Sequence, residues 1–176
     1  MDTYKINIEG LDRELRKFPV NDKLDIAAFI MFGDIEMTEV AARELLKRVP
    51  EHDVVVTAEA KGIPLCYEMA RQGCRNYVVA RKSVKVYMGN PIGVTVNSIT
   101  TKNEQKLSLG EDDVNLLIGK RVLLVDDVIS TGESLHALET LVEKTAANIV
   151  GKASDLAGDD AKDRDDIIFL SELPLF

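Results

Sequence analysis

The chain has 176 residues, a formal net charge of −8 and 45% hydrophobic residues, enough apolar material for one domain with one core. Its acidity argues against nucleic acid as a partner while leaving room for a small phosphorylated ligand on a local basic patch. No apolar run approaches membrane-spanning length and the polar start MDTYKINIEG has no signal-peptide pattern, while Cys66, Cys74, His52 and His136 show no zinc or disulfide spacing, which together fit a reduced, cytoplasmic setting.

Taken along the chain, strands and helices alternate. Residues 38–49 read as a helix with Thr38 as N-cap and Pro50 as its stop. The β-branched run 53–58 (DVVVTA) reads as a buried strand, 62–72 as a helix with Pro64 in its first turn, and 77–80 (YVVA) as a second buried strand. Residues 94–100 and 106–109 can pair as a hairpin inside a polar stretch punctuated by Gly89, Pro91 and Gly93. Residues 121–126 (RVLLVD) are the clearest strand. Residues 132–144 then form a helix with Leu135, Leu138, Leu141 and Val142 on one face. Residues 147–153 and 166–171 are two further strand candidates. This order predicts an α/β fold with a mostly parallel central sheet flanked by helices. A core of about 38–154 is expected, with residues 1–37 and 155–176 forming a small accessory hood and the acidic stretch Asp155–Asp166 a solvated loop.

The segment VLLVDDVISTGESL carries the chemistry. A buried strand ends in Asp126 and Asp127, whose carboxylates can face the crevice at the carboxyl edge of the sheet and accept hydroxyl hydrogen bonds. Ser130, Thr131, Gly132, Glu133 and Ser134 follow as a small-residue turn into a helix. Backbone amides and the helix dipole there favour an anion. The order suits a ligand with sugar hydroxyls at one end and a phosphate at the other. Other phosphate motifs, GxxxxGK[ST] and a strand-linked GxGxxG, are absent from the sequence. Two cationic segments lie at neighbouring strand ends: TAEAKGIPL (57–65), with Lys61, and RKSVK (81–85), with Arg81, Lys82 and Lys85. Arg81 stands out, because a guanidinium can clamp phosphate oxygens in pairs.

VLLVDDVISTGESL resembles the phosphoribosyl-pyrophosphate signature of type I phosphoribosyltransferases, with Glu133 where a second glycine is usual. TAEAKGIPL resembles the purine-salvage branch in general, and RKSVK resembles a stretch of adenine and xanthine phosphoribosyltransferases; with the chain's length and tail it makes adenine the lead acceptor. The resemblance implies that Asp126 and Asp127 meet the ribose hydroxyls and that the loop Val128, Ile129, Ser130, Thr131, Gly132, Glu133 and Ser134 holds the 5′-phosphate. It implies that Glu59, Ala60, Lys61 and Gly62, with Arg81, Lys82 and Lys85, surround the pyrophosphate. Asp126, Asp127, Lys61 and Arg81 would carry catalysis, and Mg²⁺ would arrive with the substrate rather than on protein ligands of its own. The implied partners are phosphoribosyl pyrophosphate, a purine base and a second copy of the chain. Residues 86–106 would close over the site. Ser98-Ile99-Thr100-Thr101 stands where adenine enzymes carry a glutamate, so xanthine or hypoxanthine and guanine stay open as acceptors. A non-catalytic regulator that senses phosphoribosyl pyrophosphate is the alternative of a different class, and a receiver-like phosphoacceptor domain is disfavoured because the acid pair follows a late strand.

Overall fold

The computed structural model describes residues 2–97 and 104–176. Ten strands and four helices are described: β1 (Thr3–Ile8), β2 (Leu11–Asn21), β3 (Leu24–Ala27), α1 (Ile35–Leu46), β4 (Val54–Ala58), α2 (Ile63–Gln72), β5 (Tyr77–Ala80), β6 (Ile92–Asn97), β7 (Glu104–Leu109), α3 (Glu111–Leu117), β8 (Arg121–Ile129), α4 (Glu133–Glu143), β9 (Asn148–Ala157) and β10 (Ile168–Glu172).

The central sheet has the order β10-β9-β8-β4-β5, with every pair parallel. Its strands are near-continuous apolar runs because both faces are covered. One face packs on α1 and α2 through Met37, Leu45, Leu65 and Met69; the other packs on α4 through Leu135, Leu138 and Leu141. A β6–β7 hairpin forms near the place expected from the sequence, and it lies over this second face. The expected special role of Ser98–Thr101 lies outside the described residues.

The N-terminal residues form a separate antiparallel sheet, β1-β2-β3. The chain's end is tied to it. Phe176 and Asp25 exchange backbone hydrogen bonds of 2.7 and 3.0 Å, and Leu175 bridges Ile26. The Phe176 ring sits 5.0 Å from that of Tyr4 and under the ammonium of Lys17. The division of the tail differs from the sequence expectation. β9 runs past residue 154 to Ala157 and β10 joins the central sheet, so only residues 173–176 return to the N-terminal layer.

Two local readings are corrected. The first helix begins at Ile35, a turn earlier than expected, and its N-cap is Asp34, which accepts from the Met37 amide at 3.1 Å; Thr38 instead donates its hydroxyl to the Asp34 carbonyl. The early turn is exposed, Ile35 at 71%, so apolar periodicity does not announce it. Arg13 of β2 grips the same Asp34 through two nitrogens at 2.7 and 3.0 Å, and the paired guanidinium holds the Asp34 carboxyl below its usual range. Asp34→Ala therefore removes a cap and a clamp between β2 and the start of α1. A loss of about 1–2 kcal/mol in urea unfolding is expected, with Asp34→Asn, which keeps the cap, losing less; an unchanged midpoint for Asp34→Ala would contradict this.

The second correction concerns Asp155. It is not part of a solvated loop but lies within β9, fully buried, with neither carboxylate oxygen hydrogen-bonded. The register pairs Asp126 with Ser154 and Val128 with Leu156, which sets Asp155 beside Asp127. Burial, then the nearby Asp127 and Asp126, push its carboxyl well above the ordinary range. The folded protein thus keeps a proton that the unfolded chain releases near pH 4, and stability contributed by neutral Asp155 is lost as pH rises above that value. Asp155→Asn should be unfolded by urea at pH 5 and at pH 8, with its stability gaining on wild type by up to about 1.4 kcal/mol per pH unit. A gap that stays constant between the two pH values is incompatible with a buried neutral acid.

Candidate active site

Chain order reverses between β4 and β8. From β4 the chain crosses outward to β5, whereas from β8 it proceeds the other way to β9 and β10. The carboxyl ends of β4 and β8 therefore open a crevice with no crossover covering it, the position where open α/β sheets bind ligands. All the conspicuous motifs end there.

β8 supplies the acid pair, but the strand continues three residues further than expected, through Ile129. Asp126 and Asp127 are thus inside a paired strand. Asp126 remains half-buried at the crevice, and its Oδ1 accepts from the Asp127 amide at 2.8 Å. Burial and the adjacent Asp127 raise its carboxyl well above the usual range. Asp127 is turned inward, 3% exposed, and its Oδ2 lies 3.1 Å from Lys61 Nζ with no properly aligned hydrogen bond. The two carboxylates do not face the crevice alike, because one is neutralised from the β4 side.

Glu59, Ala60, Lys61 and Gly62 form the turn from β4 into α2, with a cis Glu59–Ala60 peptide. Gly62 lets this turn approach β8. A Cβ there would lie 2.5 Å from Thr57 Oγ1 and 3.0 Å from Asp126 Oδ1, so any side chain would displace Thr57 and crowd the acid. Lys61 is brought to the acid pair as its position in the sequence suggested. Glu59 is not presented as a free ligand group: its carboxylate takes the Lys82 amide at 2.6 Å and Arg81 Nε at 2.8 Å, and these donors, the Lys82 amide foremost, hold it below its ordinary pKa. Arg81 also donates to the Tyr87 hydroxyl and pairs its backbone with Ser108. Lys85 contributes positive potential at Glu59, while the Lys82 side chain is exposed. The segments TAEAKG and RKSVK thus meet through Glu59 rather than through a cluster of bare cations.

After Ile129 the chain turns through Ser130, Thr131 and Gly132 into α4, whose first residues are Glu133 and Ser134. Gly132 has φ +83°, a conformation glycine adopts without steric cost. Asp126, Val128, Ile129, Ser130, Thr131, Gly132, Ser134 and Leu135 enclose a cavity of ≈ 160 Å³ at the helix N-terminus, where unpaired amides and the helix dipole favour an anion. Val128 and Ile129 belong to the strand, and Ile129 is a core side chain. Glu133 in place of a glycine does not line this cavity.

A second cavity of ≈ 370 Å³ adjoins the first and shares Val128 and Ser130 with it. Its walls are apolar: Ile26–Ile30 from the N-terminal layer and Leu173–Leu175 from the tail, with Lys61 at its edge. Sequence reasoning assigned both segments to the accessory hood without giving any of these residues a role. It gave Thr57 no role within TAEAKGIPL and placed Asp155 in a solvated loop. It also missed Arg164, whose signal is a lone arginine among five aspartates in 159–166. Among the described residues no group of three His, Cys, Asp or Glu side chains is arranged to hold a metal ion, and no helix is long and apolar enough to cross a membrane.

The model of the phosphoribosyl transferase domain family matches residues 31–171. The chain is 33% identical over 124 residues to adenine phosphoribosyltransferase of Rhodococcus jostii, covering 70% of this chain and 67% of that one. It is 31% identical over 148 residues to hypoxanthine/guanine phosphoribosyltransferase of Methanococcus voltae, covering 80% and 75%. It is also 32% identical over 101 residues to the purine biosynthesis transcriptional repressor PurR of Bacillus subtilis, covering 57% of this chain but only 35% of the repressor. Among solved structures, adenine phosphoribosyltransferase from Thermoanaerobacter pseudethanolicus superposes with a TM-score of 0.75 at 21% identity over 90% of this chain and 95% of that one. A crevice at the β4–β8 reversal, an acid pair before an anion turn, and a family model covering most of the chain lead to one conclusion: the chain belongs to the phosphoribosyltransferase family of pentosyltransferases.

Proposed function

We propose that this chain transfers the 5-phosphoribosyl group of phosphoribosyl pyrophosphate to a purine base, with adenine as the lead acceptor, in nucleotide salvage. The observation that carries this reading is the meeting of two unlike cavities at Val128 and Ser130. One is polar and ends on a helix N-terminus; the other is apolar and of ring size; Asp126 lines the first, Lys61 lines the second, and the buried Asp127 pairs with Lys61 behind them. A ribose lying across that junction has its 5′-phosphate on the turn 130–134 and its anomeric carbon toward the apolar cavity.

Each residue then has a task. The turn amides bind the phosphate and fix the sugar's direction. The Asp126 carboxylate accepts from ribose hydroxyls. Asp127, clamped by Lys61, adds negative potential beneath the sugar as positive charge develops at the anomeric carbon. Lys61 and the 59–62 amides face the departing pyrophosphate, with Arg81 held near them by Glu59. The apolar walls exclude water from the reacting carbon. Mg²⁺ fits as an ion carried on the pyrophosphate, because the acid pair offers oxygen ligands but the described side chains form no metal cage of their own. When bound it supplies charge neutralisation to the leaving group.

Adenine leads because of the Rhodococcus relative and the RKSVK segment, while the Methanococcus relative keeps hypoxanthine and guanine as rivals. A homodimer is part of the proposal. Phe32, Ile35 and Tyr67 are each more than half exposed around one groove, an apolar face suited to a second copy. The match to the PurR repressor favours one second reading, a regulator that binds phosphoribosyl pyrophosphate without turnover.

A pyrophosphate-release assay with adenine, hypoxanthine, guanine and xanthine separates these readings. Release with adenine foremost is expected; retained phosphoribosyl-pyrophosphate binding without turnover on any base points to the regulator. Asp127→Asn should lower turnover at least about tenfold with the fold intact, and near-wild-type rates would refute the role given to Asp127. Lys61→Ala should weaken pyrophosphate binding several-fold more than binding of the nucleotide product. Equal losses for both would place Lys61 elsewhere.

A further inference from the structure

Residues 158–166 run along the outside of the anion turn and are fastened to it. The Gly158 amide donates to the Ile129 carbonyl at 2.9 Å, and the Ala161 amide donates to the Ser130 carbonyl at 3.1 Å. Arg164 closes this wall. Its Nε and Nη2 bond the two oxygens of Asp166 at 2.8 and 2.7 Å. Asp166 also receives Lys152 at 3.2 Å, and Lys152 pairs with Glu139 of α4 at 2.8 Å. The guanidinium is therefore fixed relative to the helix that ends on the turn.

That clamp uses one edge of the guanidinium. The remaining nitrogen, Nη1, lies against Gly132: a Cβ built on that residue would be 2.8 Å from it. A cation whose other edge is paired with Asp166 is thus held at the positive end of a helix dipole, where a further anion is favoured. The five aspartates of 159–166 add a negative field that would repel an arriving phosphate, and Arg164 counters that field at the turn itself.

We propose that Arg164 is a further ligand-binding residue, which adds a side-chain cation and a free N–H edge to the backbone amides that hold the terminal phosphate of the sugar. This rests on the reading of the 130–134 turn as the 5′-phosphate site. Asp166 sets the angle of the guanidinium fork, and the absence of a side chain at Gly132 leaves it room.

The test is calorimetric binding of two probes, ribose 5-phosphate and inorganic pyrophosphate, to the full chain and to Arg164→Gln. A loss of about five- to tenfold for ribose 5-phosphate is expected, from one charge-assisted hydrogen bond on a partly exposed group. Pyrophosphate affinity should stay unchanged, which also shows that the variant is folded. Equal weakening of both probes, or no weakening of either, overturns the role of Arg164 alone. If the unmutated chain binds pyrophosphate but not ribose 5-phosphate, the turn's phosphate assignment falls and this proposal with it. Should Arg164→Gln not fold, the unmutated chain decides: the ¹⁵N signals of the Arg164 guanidinium, assigned with Arg164→Lys, should shift with ribose 5-phosphate and not with pyrophosphate. An unmoved signal overturns the proposal.

Discussion

The site depends on the parallel pairing of β4 with β8. Val54, Val55 and Val56 stand beside Val122, Leu123 and Leu124, six apolar side chains whose burial on both faces leaves the register little freedom. Because the chain leaves these two strands in opposite directions, their carboxyl ends are neighbours with nothing between them. The turn carrying Lys61 and the stretch of β8 carrying Asp126 and Asp127 are brought together by that pairing, although more than sixty residues separate them in sequence. Gly62 completes the approach, since a methyl group there would occupy the space of Thr57 Oγ1.

Close approach gathers negative charge where solvent is scarce. Asp126, Asp127 and Asp155 lie on adjacent strands with one cation, Lys61, paired to the middle one. Three buried carboxylates cannot all ionise at ordinary cost. The protein meets this constraint unevenly: Lys61 pairs with Asp127, while burial pushes Asp155, sealed in β9, toward the neutral acid. The same uneven treatment occurs around the turn 130–134, where an acidic wall is relieved at Gly132 by an arginine tethered to Asp166. Charge near the crevice is therefore set by local pairs, and the net acidity of the chain does not prevent an anion site.

Much of this was legible in the sequence where a local pattern has a single physical solution. Runs such as VVVTA and RVLLVD are too apolar for a surface, and the strand–acid–acid–turn–helix order places the turn at the sheet's carboxyl edge, although the acids themselves lie inside the strand and only Asp126 stays at the crevice. The N-terminal layer was less legible, because β2 (LDRELRKFPVN) alternates apolar and charged residues without a long buried run. The start of α1 hid behind the exposed Ile35. Asp155 was misread for a different reason. Composition marks 155–166 as acidic and therefore solvated, yet the strand needs a residue at that position whatever its charge, and tertiary burial overrides the local preference. Arg164 is uninformative as a sequence neighbour and acquires meaning only when residues 158–166 fold back over the turn.

Under the proposed function, the apolar cavity explains why the sugar half of the ligand leaves a clearer mark in the sequence than the ring half. The sugar half is addressed by charged side chains and by a glycine whose backbone angle is demanding, features that leave a pattern in residue identity. The other cavity is lined by Ile26–Ile30 and Leu173–Leu175, whose side chains offer area but no hydrogen bonds. Lys61 and Ser130 are its polar side chains, and Lys61 is committed to Asp127. A ring entering it must therefore be read largely by main-chain amides and carbonyls of the two chain ends. Main-chain groups are the same in every residue, so their selectivity resides in where the Asp25–Phe176 and Ile26–Leu175 contacts hold the two segments. Discrimination between an amino and an oxo edge on the purine would then follow from the register of the tail against β3, a property of packing between the chain's two ends and not of any one side chain.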